Sequence, residues 1–217
     1  MKSRPTHPRR AVIETAIRLV REGLNRGSAG NVSLRAPGGF LVTPSGMEPD
    51  MMRARDIVFM DMNGISSGAR NPSSEWRMHR DIYARRPEIG GIVHCHAPFS
   101  VALAVLRRAI PAYHYMVAKA GGRDIRCAGY ATYGTQALSD QALAALENRR
   151  ACLLANHGML ALGTTLDEAF ALAVEVEELA EGYWRALQLG APVLLADDEM
   201  DRVLEKFAHY GRAAQDF

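Results

Sequence analysis

The chain has 217 residues, with 26 lysines and arginines against 24 aspartates and glutamates and a formal net charge of +2. Charges balanced this closely exclude the large field of one sign that attracts nucleic acid or a membrane surface. The sequence shows no signal peptide, no apolar run long enough to span a membrane, and three cysteines in or next to apolar runs. These features predict a cytoplasmic protein with reduced thiols. No linker interrupts the composition, so a single domain is predicted over 1–217, with 1–9 as a flexible N-terminal segment.

The first third of the chain predicts one helix and two hairpins. Apolar residues at helical spacing over 10–24 predict an amphipathic helix, with Gly27 as its C-terminal cap. A Pro-Gly-Gly turn at 37–39 separates two strand-like runs, and the Asn63-Gly64 turn separates two more. Both patterns are typical of antiparallel hairpins.

Glycines and hydroxyl side chains concentrate in two turns beside the first hairpin, at 28–31 and 43–46. Turns of this composition present free backbone N–H groups, and two of them close together can cradle a phosphate. Ordinary turn chemistry is the better explanation of either turn alone. The two turns together are therefore a candidate anion site.

A further helix is predicted to begin near Pro72 and to run to about Arg86, with a serine as its N-terminal cap and Glu75 in its first turn. A carboxylate in a first turn normally complements the helix dipole and does nothing else. A short connection, however, leads from this helix directly into a strand-like run that carries two histidines. Glu75 is therefore a candidate neighbour of those histidines.

The strand-like run at 91–97 carries His94 and His96. Because side chains alternate along a strand, the two imidazoles project from the same face. His157 follows a second apolar run, at 151–155, and supplies a candidate third imidazole. Three imidazoles at rigid spacing are typical of a tetrahedral metal site, and the competing interpretation is three ordinary, partly buried histidines.

The rest of the chain predicts mostly helices. An extended segment is expected at 110–117, and helices at 101–106, 137–146, 165–190 and 198–210. The helix at 165–190 begins with a capping box from Thr165 to Glu168. Strand pairs joined by tight turns, rather than regular β-helix-β alternation, predict an α/β fold of three layers. A mostly antiparallel central sheet would lie between two layers of helices.

Five motifs occur in a fixed order: Gly30-Asn31, Ser45-Gly46, Ser73-Ser74-Glu75, His94-x-His96 and Asn156-His157-Gly158. Together they resemble the class II aldolase and adducin head superfamily, and the resemblance covers about 10–211. It implies a three-layer α/β/α domain with a mostly antiparallel sheet. It also implies a homotetramer whose active sites lie between neighbouring subunits.

The resemblance implies the roles of individual residues. His94, His96 and His157 would bind Zn²⁺, or another divalent metal such as Mn²⁺ or Co²⁺. Glu75 would be a fourth ligand and the catalytic acid/base, and Tyr115 a second catalytic residue that reaches the adjacent subunit's site. The phosphate of the substrate would be bound by Ser28, Asn31, Ser45, Gly46, Ser73 and Ser74. The substrate pocket would include Tyr133, Phe207 and Tyr210. Tyr133 would lie in the wall near the aldehyde, and Tyr210, like Tyr115, would reach the adjacent subunit's site. One branch of the family carries threonine in place of Ser28 and phenylalanine in place of Tyr133, so the identity of the aldehyde stays open.

The lysine content bears on the chemistry. Cleavage of a carbon–carbon bond beside a ketone needs either a lysine Schiff base or a Lewis acid. Apart from Lys2 near the N-terminus, only Lys119 and Lys206 are present, and neither lies in a recognisable catalytic pattern. The sequence thus favours a class II, metal-dependent aldehyde-lyase.

The reaction implied by the resemblance is retro-aldol cleavage of a ketose 1-phosphate to dihydroxyacetone phosphate and a small aldehyde. Candidate substrates are L-fuculose 1-phosphate, 5-deoxyribulose 1-phosphate and 5-methylthioribulose 1-phosphate. A metal-dependent decarboxylase of a 3-keto sugar-acid phosphate and a ribulose-phosphate 4-epimerase are alternatives, although the epimerase branch carries aspartate in place of Glu75. An adducin-like scaffold is a third alternative, but it would not need the three histidines.

Overall fold

The computed structural model describes residues 7–209. The strands, in chain order, are β1 (Asn31–Ala36), β2 (Gly39–Val42), β3 (Val58–Asp61), β4 (Ser66–Ser67), β5 (Gly91–Cys95), β6 (Cys127–Ala128), β7 (Ala151–Leu154) and β8 (Gly158–Gly163). The α-helices are α1 (Pro8–Arg21), α2 (Trp76–Arg85), α3 (Pro98–Val105), α4 (Gln136–Ala145), α5 (Leu166–Leu189) and α6 (Asp197–His209). Short 3₁₀ helices occur at Pro49–Met51, Ala54–Asp56 and Tyr115–Ala120.

All eight strands belong to one sheet in the order β4-β3-β2-β1-β5-β8-β7-β6. Every neighbouring pair is antiparallel except β6 with β7. The predicted, mostly antiparallel sheet is therefore confirmed. The parallel pairing of the two-residue β6 was not predicted.

Helices cover both faces of the sheet, which confirms the three layers. One core lies under α1, α3 and α5 and includes Val93 and Leu153, while the other lies under α2 and α4 and includes Ile92 and Leu154. Successive residues of one strand thus enter opposite cores, as the period of two requires. Among residues 7–209 no helix is long and apolar enough to cross a bilayer.

The register of the central strands positions the site. Asn31 at the start of β1 lies opposite His94 near the end of β5, and Ser33 lies opposite Ile92. Cys95 lies opposite Met159 of β8. The C-terminal end of β5 therefore meets the start of β1 and the turn between β7 and β8.

The predicted first helix is displaced toward the N-terminus. It begins at Pro8 and ends at Arg21, so residues 8 and 9 of the predicted flexible segment are helical, and residues 1–6 lie outside the described part of the chain. The glycine beyond its end is Gly23 with φ +73°, not Gly27. The Gly23 N–H donates to the Val20 carbonyl and the Leu24 N–H to the Leu19 carbonyl, the two bonds of a Schellman motif.

Two further local predictions were wrong. Glu75 is the residue that precedes α2, its N-cap, rather than a residue of the first turn. The segment predicted as extended over 110–117 is extended only at its start, where Ile110 pairs with Ile125, and it becomes a 3₁₀ helix at Tyr115. The ring nitrogen Nδ1 of His114 accepts a hydrogen bond from the Met116 N–H. This local side-chain bond caps the 3₁₀ helix and competes with an extended backbone.

Candidate active site

The three predicted histidines meet at one point. The ring centroids of His94, His96 and His157 lie 4.8 to 4.9 Å apart in pairs, each pair edge to face. Their ligand nitrogens all lie within 4.8 Å of one another. The fold therefore joins an adjacent pair from β5 to a third imidazole from the β7–β8 turn, about 60 residues further along the chain.

The hydrogen bonds of His94 decide which nitrogen faces this cluster. Its Nδ1 lies 2.9 Å from the Met159 carbonyl oxygen, which can only accept, so Nδ1 carries the proton. In the neutral ring Nε2 then carries no proton and presents its lone pair. It lies 3.1 Å from the Glu75 Oε2 and 3.1 Å from the His96 Nε2. A proton or a metal cation at Nε2 would satisfy this contact with a carboxylate and another imidazole.

Glu75 supplies a second sign that a cation belongs in the cluster. Its Oε1 is buried without a hydrogen-bond partner among the described residues, and it lies 3.3 Å from the His157 Nε2. A buried carboxylate oxygen is costly to leave unpaired. Imidazole nitrogens and one carboxylate oxygen form the donor set that Zn²⁺ and similar divalent ions take. The residues present therefore fit a divalent metal.

The electrostatics agree with this arrangement. Burial alone would raise the pKa of Glu75, but His94 and then His157 and Asn31 hold it well below its usual range, so the group is a carboxylate. Burial lowers the pKa of both His96 and His157 to about 4. Burial would also lower the pKa of His94, but the adjacent Glu75 carboxylate raises it. Most of the cluster is thus unprotonated at neutral pH, as metal ligands must be.

Backbone features hold the histidines in place. The buried Asn25 accepts a hydrogen bond from the His96 N–H at 2.9 Å. Asn156 has φ +54°, and this left-handed residue turns the chain between β7 and β8 so that His157 projects into the cluster. A Cβ on Gly158 would lie 2.9 Å from Cδ2 of His96, so only glycine fits beside that ring.

The segments of the predicted phosphate pocket lie side by side. Ser28 and Asn31 border one small cavity together with Thr43. The turn at 43–46 lies along 71–74, where the Ser73 N–H donates to the Thr43 carbonyl oxygen at 3.0 Å. Ser73 and Asn31 are buried, and the exposed members of the set are Ser28, Ser45, Gly46 and Ser74. Hydroxyls and backbone N–H groups from three turns are thus brought into one region, as an anion site needs.

The predicted aromatic residues divide between two places. Tyr133 borders a cavity of about 270 Å³ together with Glu75, His96 and His157. Tyr115 and Phe207 do not border that cavity; their rings stack at 6.4 Å in a separate groove between the 3₁₀ helix at 115–120 and α6. Tyr210 lies outside the described residues.

Sequence reasoning missed three residues of the site. Asn25 accepts the His96 N–H, and His79 contacts Asn31. Tyr130 lines the cavity of about 270 Å³ beside Tyr133. His79 carried a usable signal, because it lies four residues after Glu75 and so on the same side of the helix. The contacts of Asn25 and Tyr130 arise from tertiary packing and have no counterpart in local spacing.

The comparisons with known proteins agree with this geometry. Residues 10–184 match the family described as Class II Aldolase and Adducin N-terminal domain, and the chain belongs to that family. It is 59% identical over 207 residues to a 5-methylthioribulose-1-phosphate/5-deoxyribulose-1-phosphate aldolase from Rhodospirillum rubrum, covering 95% of this chain and 94% of the relative. It is 47% identical over 203 residues to the L-fuculose phosphate aldolase of Escherichia coli, covering 93% and 94%. A solved L-fuculose 1-phosphate aldolase superposes with a TM-score of 0.91 at 43% identity, covering 94% of this chain and 98% of that one.

These relatives carry aldolase names, so the decarboxylase and epimerase alternatives are not favoured. The three histidines lie together as a group that could hold a metal ion, which the scaffold alternative does not require. The chain is a metal-dependent enzyme of the aldehyde-lyase class.

Proposed function

We propose that the enzyme cleaves a ketose 1-phosphate to dihydroxyacetone phosphate and a small aldehyde by a retro-aldol reaction. The observation that carries this proposal is the convergence of three imidazoles and the Glu75 carboxylate, with Glu75, His96 and His157 lining one cavity. A Lewis acid and a proton carrier at one point are the two functions that metal-dependent carbon–carbon cleavage requires.

His94, His96 and His157, with Glu75, would hold the metal, which we propose to be Zn²⁺. When bound, the ion supplies Lewis-acid stabilisation of the negative charge that develops as the carbon–carbon bond breaks. The histidines are supported by Met159, Asn25 and the close packing at Gly158. Such support fixes ring orientation and ligand distances.

Glu75 is the proposed acid/base. It carries the proton to and from the carbon of the dihydroxyacetone phosphate unit that takes part in the cleaved bond. Its position at the cavity wall, where Oε1 accepts no hydrogen bond from residues 7–209, supports this role. The substrate phosphate would lie against the hydroxyls and N–H groups of Ser28, Asn31, Ser45, Gly46, Ser73 and Ser74. A pocket of this kind lets a chain of nearly balanced charge bind an anion.

Tyr115 is the proposed partner of the aldehyde oxygen, supplied by a neighbouring subunit. The Tyr115 side chain is half exposed and lies in a groove that contains none of the metal ligands. It can therefore serve a metal site only if another chain brings one to it. A homotetramer with shared sites would do so, and this is the assembly we propose for a cytoplasmic enzyme.

The proposed preferred substrates are 5-methylthioribulose 1-phosphate and 5-deoxyribulose 1-phosphate. Support comes from the 59% identity to the Rhodospirillum rubrum relative named for them, against 47% to the relative named for fuculose phosphate. Tyr130 and Tyr133 would form the wall beside the aldehyde half.

One assay with a panel of substrates tests both the aldolase assignment and the preferred substrate. The zinc-loaded protein is incubated with the three ketose 1-phosphates, and release of dihydroxyacetone phosphate is followed with glycerol-3-phosphate dehydrogenase and NADH. Ribulose 5-phosphate and a 3-keto sugar-acid phosphate serve as epimerase and decarboxylase controls. Release from at least one ketose 1-phosphate is expected, with the highest kcat/KM for a 5-methylthio or 5-deoxy substrate. Turnover of only the control substrates would overturn the aldolase assignment, and a clear preference for L-fuculose 1-phosphate would overturn the substrate assignment.

A further inference from the structure

A continuous row of buried polar side chains leads away from Glu75 into the layer between β1 and α2. Asn31 and Ser33 come from the face of β1 that packs on α2, and His79 and Tyr83 lie one turn apart on that helix. Asn31 Nδ2 lies 2.9 Å from the Glu75 Oε2, and Asn31 Oδ1 contacts the His79 Nε2. Ser33 Oγ lies 2.6 Å from the His79 Nδ1 and 2.9 Å from the Tyr83 hydroxyl oxygen.

The direction of these hydrogen bonds is determined from the carboxylate end. An ionised Glu75 only accepts, so the Asn31 atom facing it must be the NH₂ group, and the Asn31 carbonyl oxygen faces His79. His79 must then donate from Nε2. A fully buried histidine is neutral, and burial indeed lowers the pKa of His79 to about 3, so its Nδ1 accepts from the Ser33 hydroxyl.

The far end of the row is consistent with this direction. Ser33 donates to His79 and accepts from the Tyr83 O–H at 2.9 Å. The competing acceptor for that O–H is the Gly90 carbonyl oxygen at 3.4 Å, a poor hydrogen-bond distance. Tyr83, Ser33, His79 and Asn31 therefore each donate to the next, and Glu75 receives the last bond.

Resting on the proposed function, we propose that His79 is a positioning residue for the acid/base step. The N–H of its ring fixes the orientation of the Asn31 amide, and that amide holds Oε2 of Glu75. The other oxygen, Oε1, is left as the one that carries the proton. Without the His79 donor the Asn31 amide can turn over, and its carbonyl oxygen would then face the carboxylate.

Three substitutions of His79 separate this role from simple filling of space. His79→Gln keeps an N–H near the position of Nε2, whereas His79→Asn keeps only a polar group near Nδ1 and His79→Leu keeps neither. Loss of a hydrogen bond in a row that ends on a charged group predicts a kcat lower by about 10 to 100-fold for His79→Asn and His79→Leu. KM and zinc content should change little, and His79→Gln should recover most of the wild-type kcat.

Ser139→Ala is the matched control. The Ser139 hydroxyl is buried against the same helix and bonds Asp81 at 2.7 Å, but it contacts neither Glu75 nor Asn31. The control should lose stability and keep the wild-type kcat. Equal kcat values in the wild type, His79→Asn and His79→Leu would overturn the proposal, and so would a kcat in His79→Gln as low as that in His79→Leu.

A measurement without substrate keeps the inference testable if the proposed reaction is wrong or if His79→Leu does not fold. The metal-free wild-type protein is labelled with ¹⁵N-histidine, and the ring signals missing from His79→Gln are assigned to His79. We expect the neutral tautomer with the proton on Nε2, unchanged between pH 5 and pH 8. A proton on Nδ1, or a ring that is charged at neutral pH, would overturn the proposal whatever the panel assay shows.

Discussion

Gly158 of β8 packs against Cys95 and the His96 ring, and alanine at this position tests how tightly the backbone holds His96. A Cβ there would lie 2.4 Å from the Cys95 carbonyl oxygen, whereas real Cβ contacts essentially never fall below 3.0 Å. The difference between 3.0 and 2.4 Å means that Cys95 must move by about 0.6 Å relative to Gly158. Metal–ligand distances tolerate only about 0.2 Å. Because His96 directly follows Cys95, its ring is displaced by more than the site tolerates.

We expect Gly158→Ala to weaken zinc binding by about 10 to 100-fold, the range seen when groups that orient ligands are lost. Overpacking should also lower the free energy of unfolding by about 1 to 3 kcal/mol. Gly163→Ala is a matched control, since its Cβ would lie 2.4 Å from the Ala169 backbone nitrogen. It lies on the same strand but five residues away, about 17 Å at 3.4 Å per residue.

The assay combines zinc titration against a chromophoric chelator with urea unfolding of the metal-free proteins. Both variants should lose stability, and only Gly158→Ala should lose zinc affinity. Equal zinc affinity in the two variants would refute the claim that this glycine positions His96. Loss of zinc affinity in both variants would show that general destabilisation accounts for the effect.

Three further predictions concern the same site. Glu75→Gln should lower kcat by about 10² to 10⁴-fold, as removal of a general acid/base does, while the protein still folds; steady-state kinetics and zinc content check this. Burial lowers the pKa of His79 to about 3 in the native state. Between pH 6.5 and 3 this histidine is therefore protonated in the unfolded chain but neutral in the native protein. The free energy of unfolding of the metal-free protein should therefore fall with decreasing pH, and His79→Gln should reduce this slope by up to about 1.4 kcal/mol per pH unit in urea titrations. Mixing inactive His94→Ala chains with inactive Tyr115→Phe chains should restore activity, because a shared site can take its histidines from one chain and its tyrosine from the other; no recovery would contradict shared sites.

The histidine cluster could be predicted because each of its two segments carries a local signal. His94 and His96 share a face through the strand period alone, and His157 follows a second apolar run. The structure brings the three into a group that could hold a metal ion. Glu75 was correctly placed near the cluster through the short connection from α2 to β5. Its position as the N-cap was not foreseen, since a serine two residues earlier is the better capping residue by composition.

Features that depend on tertiary packing could not be predicted from the sequence. β8 shows no alternation of polar and apolar residues, because all six of its residues are buried between two helical layers, and the period-two signal therefore vanishes. The contact of His79 with Asn31 depends on the register between β1 and β5 and on the way α2 lies across the sheet. The spacing of four from Glu75 indicates that His79 lies on the side of Glu75, but it does not indicate the contact with Asn31.

The site divides into a buried half and an exposed half, and this division bears on how one fold serves several substrates. Glu75 and His94 are buried, and strand register and a buried row of hydrogen bonds fix their positions. Tyr130 and Tyr133, which line the same cavity and which we propose to face the aldehyde, are 58% and 68% exposed and packed far less tightly. A substitution in the buried half would disturb the proposed metal ligands and Glu75. A substitution on the exposed wall would change only the side chains that contact the aldehyde. Selection can therefore alter the aldehyde without altering the chemistry, which is consistent with similar relatives named for different sugar phosphates.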